Sequence, residues 1–253
     1  MKRRPPLFNS LLAGAAILFA LPSLARAADY AVVHAFPMAE ALPGKLLLGR
    51  DGASLFGTTV DGGQYGNGAL FRVALDGSGY TVLHSFRRTD PENGASPTAG
   101  TIAGRAGLVQ GADGTLYGTT QEGGLYNFGT IYKIQSDGSG WQVIHSFAGP
   151  SDGAIPYAGL LLGRDGMLYG TASQGGLSGD GTVFRMAPGQ ASSFQVIHQF
   201  DYSDPGNGVM PFAGLVQGPD NTLYGTTWVG GPGQNGVVFS LAPDGSRFTL
   251  LHA

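Results

Sequence analysis

With 44 glycines among 253 residues and only 12% charged side chains, the chain could pass for low complexity, but 42% hydrophobic and 10% aromatic residues exclude disorder. The absence of cysteine excludes disulfides, thiolate metal sites, a cysteine nucleophile and a lipidated N-terminal cysteine, so stability must come from packing. A net charge of −3 disfavours nucleic acid and anionic membrane surfaces as partners.

The N-terminus reads as a secretory signal peptide over residues 1–27. It has a basic start (Lys2, Arg3, Arg4), an apolar run from Leu11 to Leu21 and an A-x-A pattern at Ala25, Arg26 and Ala27. Its apolar core falls short of the roughly 20 residues a membrane span needs. No later segment is apolar for long enough, so no membrane span is expected after signal removal. Loss of the leader takes four of the 14 basic residues and none of the 17 acids, which leaves 10 against 17, or −7. The expectation is an exported protein, periplasmic, at the cell surface or extracellular.

Residues 28–253 are expected to form one propeller-like repeat domain. An orphan strand, residues 29–36 with His34, matches only the end of the unit that follows. Four full copies occupy 45–86, 106–147, 157–200 and 213–253. Each has an apolar run, an Asp-Gly or Asp-Asn turn, LYGT or its variant LFGT, a Gly-Gly loop, a strand such as GTVFRM and a closing strand such as FQVIHQF. Asp51 to His84 and Asp165 to His198 are 33 residues apart, and Asp113 to His145 and Asp220 to His252 are 32. The four-stranded unit is therefore rigid in length, and variation falls on the connections. In one of these, Thr101 to Gly107 (TIAGRAG) reads as an insertion.

Tight turns at Asp51-Gly52, Asp113-Gly114, Asp165-Gly166 and Asp220-Asn221 join the first two strands, and Asp76-Gly77, Asp137-Gly138 and Asp244-Gly245 join the last two. Period-2 alternation places Tyr80, Val82, His84 and Phe86 on one face of the closing strand, with Trp141, Val143, His145 and Phe147 as their repeat. Antiparallel meanders with a period of 40 to 50 residues predict an all-β, β-propeller-like array of four four-stranded blades, either a small wheel or an open arc. Because the last copy keeps its own fourth strand, the arc is expected. An arc leaves open edges for self-association. The Asp-Gly turns then share one end, and the Gly-Gly loops and connections share the other, the face where binding is expected.

The motif set DG-x-LYGTT, GG, GT-[IV]-[FY], DGSG and V-[LI]-HSF resembles the GloVer tandem-repeat family, also called choice-of-anchor tandem repeat proteins. The resemblance implies an exported bacterial repeat protein, often with a C-terminal surface-anchoring signal, and brings no activity and no catalytic residue.

Neither a catalytic residue, a cofactor nor a metal is expected. The histidines recur once per copy (His34, His84, His145, His198, His252), which suits a repeated structural contact better than a shared ion. The DGSG aspartates lack the further carboxylates of a calcium loop. Glu40, Glu92 and Glu122 are scattered over separate loops, unlike a glycosidase pair. Trp228 breaks the repeat where other copies carry Val60, Gln121 and Ser173. With Tyr65 and Tyr126 in equivalent loops, it is the ligand candidate; the plainer reading is that these rings cover blade ends. Trp141, in the slot of Tyr80, Phe194 and Phe248, is core. The sequence thus suggests a non-enzymatic exported scaffold or binding module whose loop face meets a glycan or an envelope protein. Two readings stay open: an exported hydrolase or lyase with its site on the loop face, and a truncated fragment of a longer propeller protein.

Overall fold

The computed structural model describes residues 44–87 and 107–253. The leader, the strand expected at 29–36 with His34, Glu40, Glu92 and most of the TIAGRAG stretch lie outside the described residues. In chain order, the first blade is β1 (Leu47–Leu48), β2 (Ser54–Thr59), β3 (Ala69–Ala74) and β4 (Thr81–Ser85). The second is β5 (Val109–Gln110), β6 (Leu116–Thr120), β7 (Thr130–Ile134) and β8 (Gln142–Ser146). The third is β9 (Leu161–Leu162), β10 (Leu168–Ala172), β11 (Thr182–Met186) and β12 (Gln195–Gln199). After β13 (Gly208–Val209) comes the fourth, β14 (Val216–Gln217), β15 (Leu223–Thr226), β17 (Val238–Leu241) and β18 (Phe248–His252), with β16 (Val229–Gly230) in the loop between β15 and β17. Each blade is a four-stranded antiparallel meander, and β13 pairs with β16 beside the fourth.

The turns hold because aspartate oxygens stand in for missing backbone partners. Asp51 accepts hydrogen bonds from the N–H groups of Ala53 and Ser54, both at 3.0 Å, and from the Ser54 hydroxyl at 2.7 Å. The Ser54 hydroxyl first, and then the two N–H groups, lower its carboxyl to about 2. Asp76, Asp113, Asp137 and Asp220 are lowered in the same way by a Ser or Thr hydroxyl two residues on. The glycine of LYGT has a different reason: a Cβ on Gly57 would lie 2.6 Å from the ring of Phe71, which crosses the strand there.

The blades are held by three seams. Between first and second lie Phe56, Leu70, Phe86, Leu108, Leu116, Tyr132 and Ile134. The other two seams repeat this arrangement one blade further on. Among the described residues no such core joins the fourth blade to the first, and the blades form an open arc.

The closing strand of each of the two middle blades, with the aromatic residue just before it, contributes to two seams, which corrects the expectation of a single face. Leu70 pairs with His84 but Phe71 pairs with Val82, leaving Leu83 as an extra residue in a β-bulge. The same shift recurs in the other three blades. The bulge reverses the alternation part-way along the strand. Trp141 therefore faces back and stacks on His84, with centroids 3.6 Å apart and planes at 5°, whereas His145 faces forward and stacks on Phe194 at 3.7 Å. His198 on Phe248 repeats the contact at 4.0 Å.

Polar contacts at the turn end distinguish two kinds of seam. The backbone N–H of Arg50 donates to Gln110 Oε1 at 2.7 Å between first and second blades, and the backbone N–H of Arg164 donates to Gln217 Oε1 at 2.9 Å between third and fourth. Between second and third the corresponding residues are Ala112 and Leu162, and Leu162 packs into the apolar seam.

Candidate functional site on the loop face

The loop face is assembled by connections that hydrogen-bond to loops of the flanking blades. The Ile155 N–H donates to the Phe128 carbonyl in the second blade's loop, and the Ser173 N–H at the end of β10 donates to the Ile155 carbonyl. One connection later, the Met210 N–H donates to the Asp180 carbonyl and the Trp228 N–H to the Met210 carbonyl. Ile155 and Met210 hold φ of 56° and 59°, a conformation costly for a β-branched residue such as Ile155. Each precedes a proline and an aromatic residue: Pro156-Tyr157 and Pro211-Phe212.

That geometry produces a row of rings. Tyr157 and Phe212 meet at 5.2 Å and 81°, and Phe212 and Trp228 meet at 5.5 Å and 68°. Trp228 is 65% exposed, the half-buried Phe212 supports it, and Phe212 with Ala213 and Gly214 also lines an axial cavity of about 740 Å³. The innermost strands of all four blades border this cavity, and Lys45 and Arg50 are the charged residues in its lining. The row thus sets Phe212, at the cavity wall, between Tyr157 and Trp228, and the edge-to-face contact with Phe212 opposes rotation of the exposed indole.

Of the residues singled out from sequence, the structure brings Trp228 to Phe212 and leaves Tyr65 and Tyr126 on the loop tips of the first and second blades. Tyr65 lies under the Arg87 guanidinium at 4.1 Å, and Tyr126 is exposed beside the exposed Leu125. Tyr157 and Phe212 were not singled out. Their signal was the recurrence of Pro-aromatic-Ala-Gly in IPYAG and MPFAG, directly before the first strand of two successive copies.

The forward-facing histidines are engaged in the seams and connections. His145 Nε2 lies 3.0 Å from Asp152 Oδ2, and that carboxylate also accepts the Ala148 N–H at 2.8 Å. His198 Nε2 lies 3.0 Å from Asn207 Oδ1, and burial pushes its imidazole below the ordinary value of 6.5 despite that hydrogen bond. Among the described residues no three His, Cys, Asp or Glu side chains gather as a metal site would require.

Residues 43–253 match the family model described as the Gloeobacter/Verrucomicrobia repeat. The chain belongs to this repeat family. Among curated proteins, no sequence matches it. Among solved structures, it is similar to the crystal structure of a nidogen/laminin complex, at 16% identity and a TM-score of 0.53, covering 85% of this chain and 66% of that one. It is also similar to TolB from Acinetobacter baumannii, at 13% identity and a TM-score of 0.53, covering 84% of this chain and 43% of that one. A puromycin hydrolase S511A mutant complexed with PGG matches at 14% identity and a TM-score of 0.53, covering 85% and 29% respectively. The Gloeobacter/Verrucomicrobia repeat chain spans two thirds or less of each of these structures. At such identities the likeness shows a shared propeller-like fold and nothing about ligands.

Proposed function

We propose that this chain is an exported, non-catalytic binding module whose loop face holds a glycan, with Trp228 as the stacking platform. The observation that carries the reading is the exposed Trp228 ring packed edge to face on Phe212, which lines the axial cavity and itself meets Tyr157. A pyranose ring presents an apolar C–H face of about the area of an indole, and a pre-positioned ring gains that contact without further ordering cost. The leader-like residues 1–27 support export, and the glycans of a bacterial envelope or its surroundings are what an exported module would meet.

The test is a glycan array probed with the exported chain, followed by Trp228→Ala and Phe212→Ala. Signal on one class of glycan that disappears in both variants, with an unchanged melting temperature for Trp228→Ala, supports the reading. An array profile indifferent to Trp228→Ala removes the platform. Turnover of a glycan or lactone that stops on replacement of a loop acid would replace the module with an enzyme.

A further inference from the structure

One position of the repeat lines the axial cavity in every blade, just ahead of the innermost strand: Lys45, Gly107, Gly159 and Gly214. Glycine there has a physical cause, because a Cβ on Gly159 would clash with the backbone of Gly107. The first blade carries lysine instead. Its stem lies against the second blade, since a Cβ on Gly107 would meet Cδ, Cβ and Cγ of Lys45 at 3.4, 3.7 and 3.8 Å. The Gly44 N–H donates to the Thr58 carbonyl at 2.7 Å, next to the loop that follows β2, so Lys45 stands at the loop end of the cavity. Phe212 stands at the same end, two residues ahead of Gly214.

The charge of this lysine is unanswered. Lys45 is exposed and has no hydrogen-bond or ion-pair partner among the described residues, whereas Arg50, the other cation of the lining, donates to the Gln110 carbonyl at 3.4 Å. The rest of the lining is apolar, glycine or glutamine, and holds no acid although the chain has 17 acids against 14 bases. A cleft with apolar walls and one sign of charge focuses its field on whatever enters. We propose that the glycan of the loop face is anionic, carboxylated or sulfated, and that Lys45 binds its charged group while Phe212 and Trp228 take a sugar ring. The proposal rests on the reading of the loop face as a glycan platform and adds the class of sugar. A lysine ammonium is a point charge with three rotatable donors, so it suits either anion.

The test is titration calorimetry of the chain, expressed with its leader and purified after export, against three probes of equal length: an oligogalacturonate, a sulfated galacto-oligosaccharide and a neutral galacto-oligosaccharide. The charged probes are expected to bind about tenfold or more tighter than the neutral one, with affinity falling as salt is raised. Lys45→Gln, at an exposed position, should lose that advantage at an unchanged melting temperature, and Lys45→Arg should keep most of it. A loss confined to one charged probe supports the proposal and names the anion that Lys45 reads. Equal affinity for charged and neutral probes overturns the proposal, and so does binding of charged probes that Lys45→Gln leaves intact; in both cases binding that Trp228→Ala abolishes keeps the platform standing. Conversely, charged probes that need Lys45 but are indifferent to Trp228→Ala keep the cation site and remove the platform. Failure of all three probes to bind overturns the proposal, while the platform is decided by the glycan array.

Discussion

The seams and the loop face are built from the same copies under opposite constraints. Across each seam the contacts repeat with little change: a forward histidine over the next blade's aromatic ring, with a phenylalanine wedged edge-on beneath it. On the loop face the corresponding positions differ in every copy, Val60, Gln121, Ser173 and Trp228. A residue in a seam must satisfy two blades at once, whereas a loop residue need only leave the backbone bonds of its connection intact. Energy should therefore concentrate in the seams and individuality in the loops.

The sharpest test of that contrast is Phe147→Ala. Phe147 is wholly buried and lies edge-on to Phe184 at 5.3 Å, so truncation should cost about 3–5 kcal/mol in chemical denaturation. A loss below 1 kcal/mol would mean that the blades do not depend on the seam. His145→Ala comes next, at about 1–3 kcal/mol, since it removes the stack on Phe194 and leaves the Asp152 carboxylate short of a partner. A Trp141→Phe change should be milder. The buried indole N–H of Trp141 has no hydrogen-bond partner among the described residues, and phenylalanine already fills that slot as Phe194 and Phe248. Relief of the unsatisfied donor and loss of ring volume oppose each other, so the net change should stay within about 1 kcal/mol.

A pH series examines the seam by another route. The imidazole of His198 is held below 6.5 when folded, so the unfolded chain binds the extra proton first. The contribution of neutral His198 is thus fully present above 6.5 and is lost as pH falls from there through the folded-state value. The melting temperature should drop over that window, with a smaller drop in His198→Gln. Equal slopes in the two proteins would take His198 out of the account. At the small end stands Trp228→Ala, which should shift stability by no more than about 0.5 kcal/mol while changing ligand binding most.

Much of the architecture was legible because each element had a local cause. Asp-Gly turns, the glycine of LYGT and the recurrence of GTVF-like strands specify four meanders without reference to long-range contacts. The bulge was not read, although a trace of it is present: Leu83-His84, Ile144-His145 and Ile197-His198 each put a large aliphatic residue next to the histidine, where strict alternation would put a polar one. Which blade a ring faces depends on that single inserted residue, and alternation alone cannot reveal it. The site was half legible. Trp228 stands out by breaking the pattern, whereas Tyr157 and Phe212 recur just before the first strands of two copies, and recurrence does not mark them as a site. The Arg50–Gln110 and Arg164–Gln217 pairs alternate with a period of two blades, longer than the unit used to align the copies.

That two-blade alternation bears on how such an array can change size over evolutionary time. If only the second blade were deleted, Arg50 would come to face Leu162 and its backbone N–H would lose the acceptor that the Gln110 side chain supplies. Removal or duplication of two consecutive blades would bring every arginine back opposite a glutamine. Loss of the second blade alone thus forfeits one side-chain acceptor at the turn end, whereas loss of the second and third together keeps it, with Gln217 in the place of Gln110.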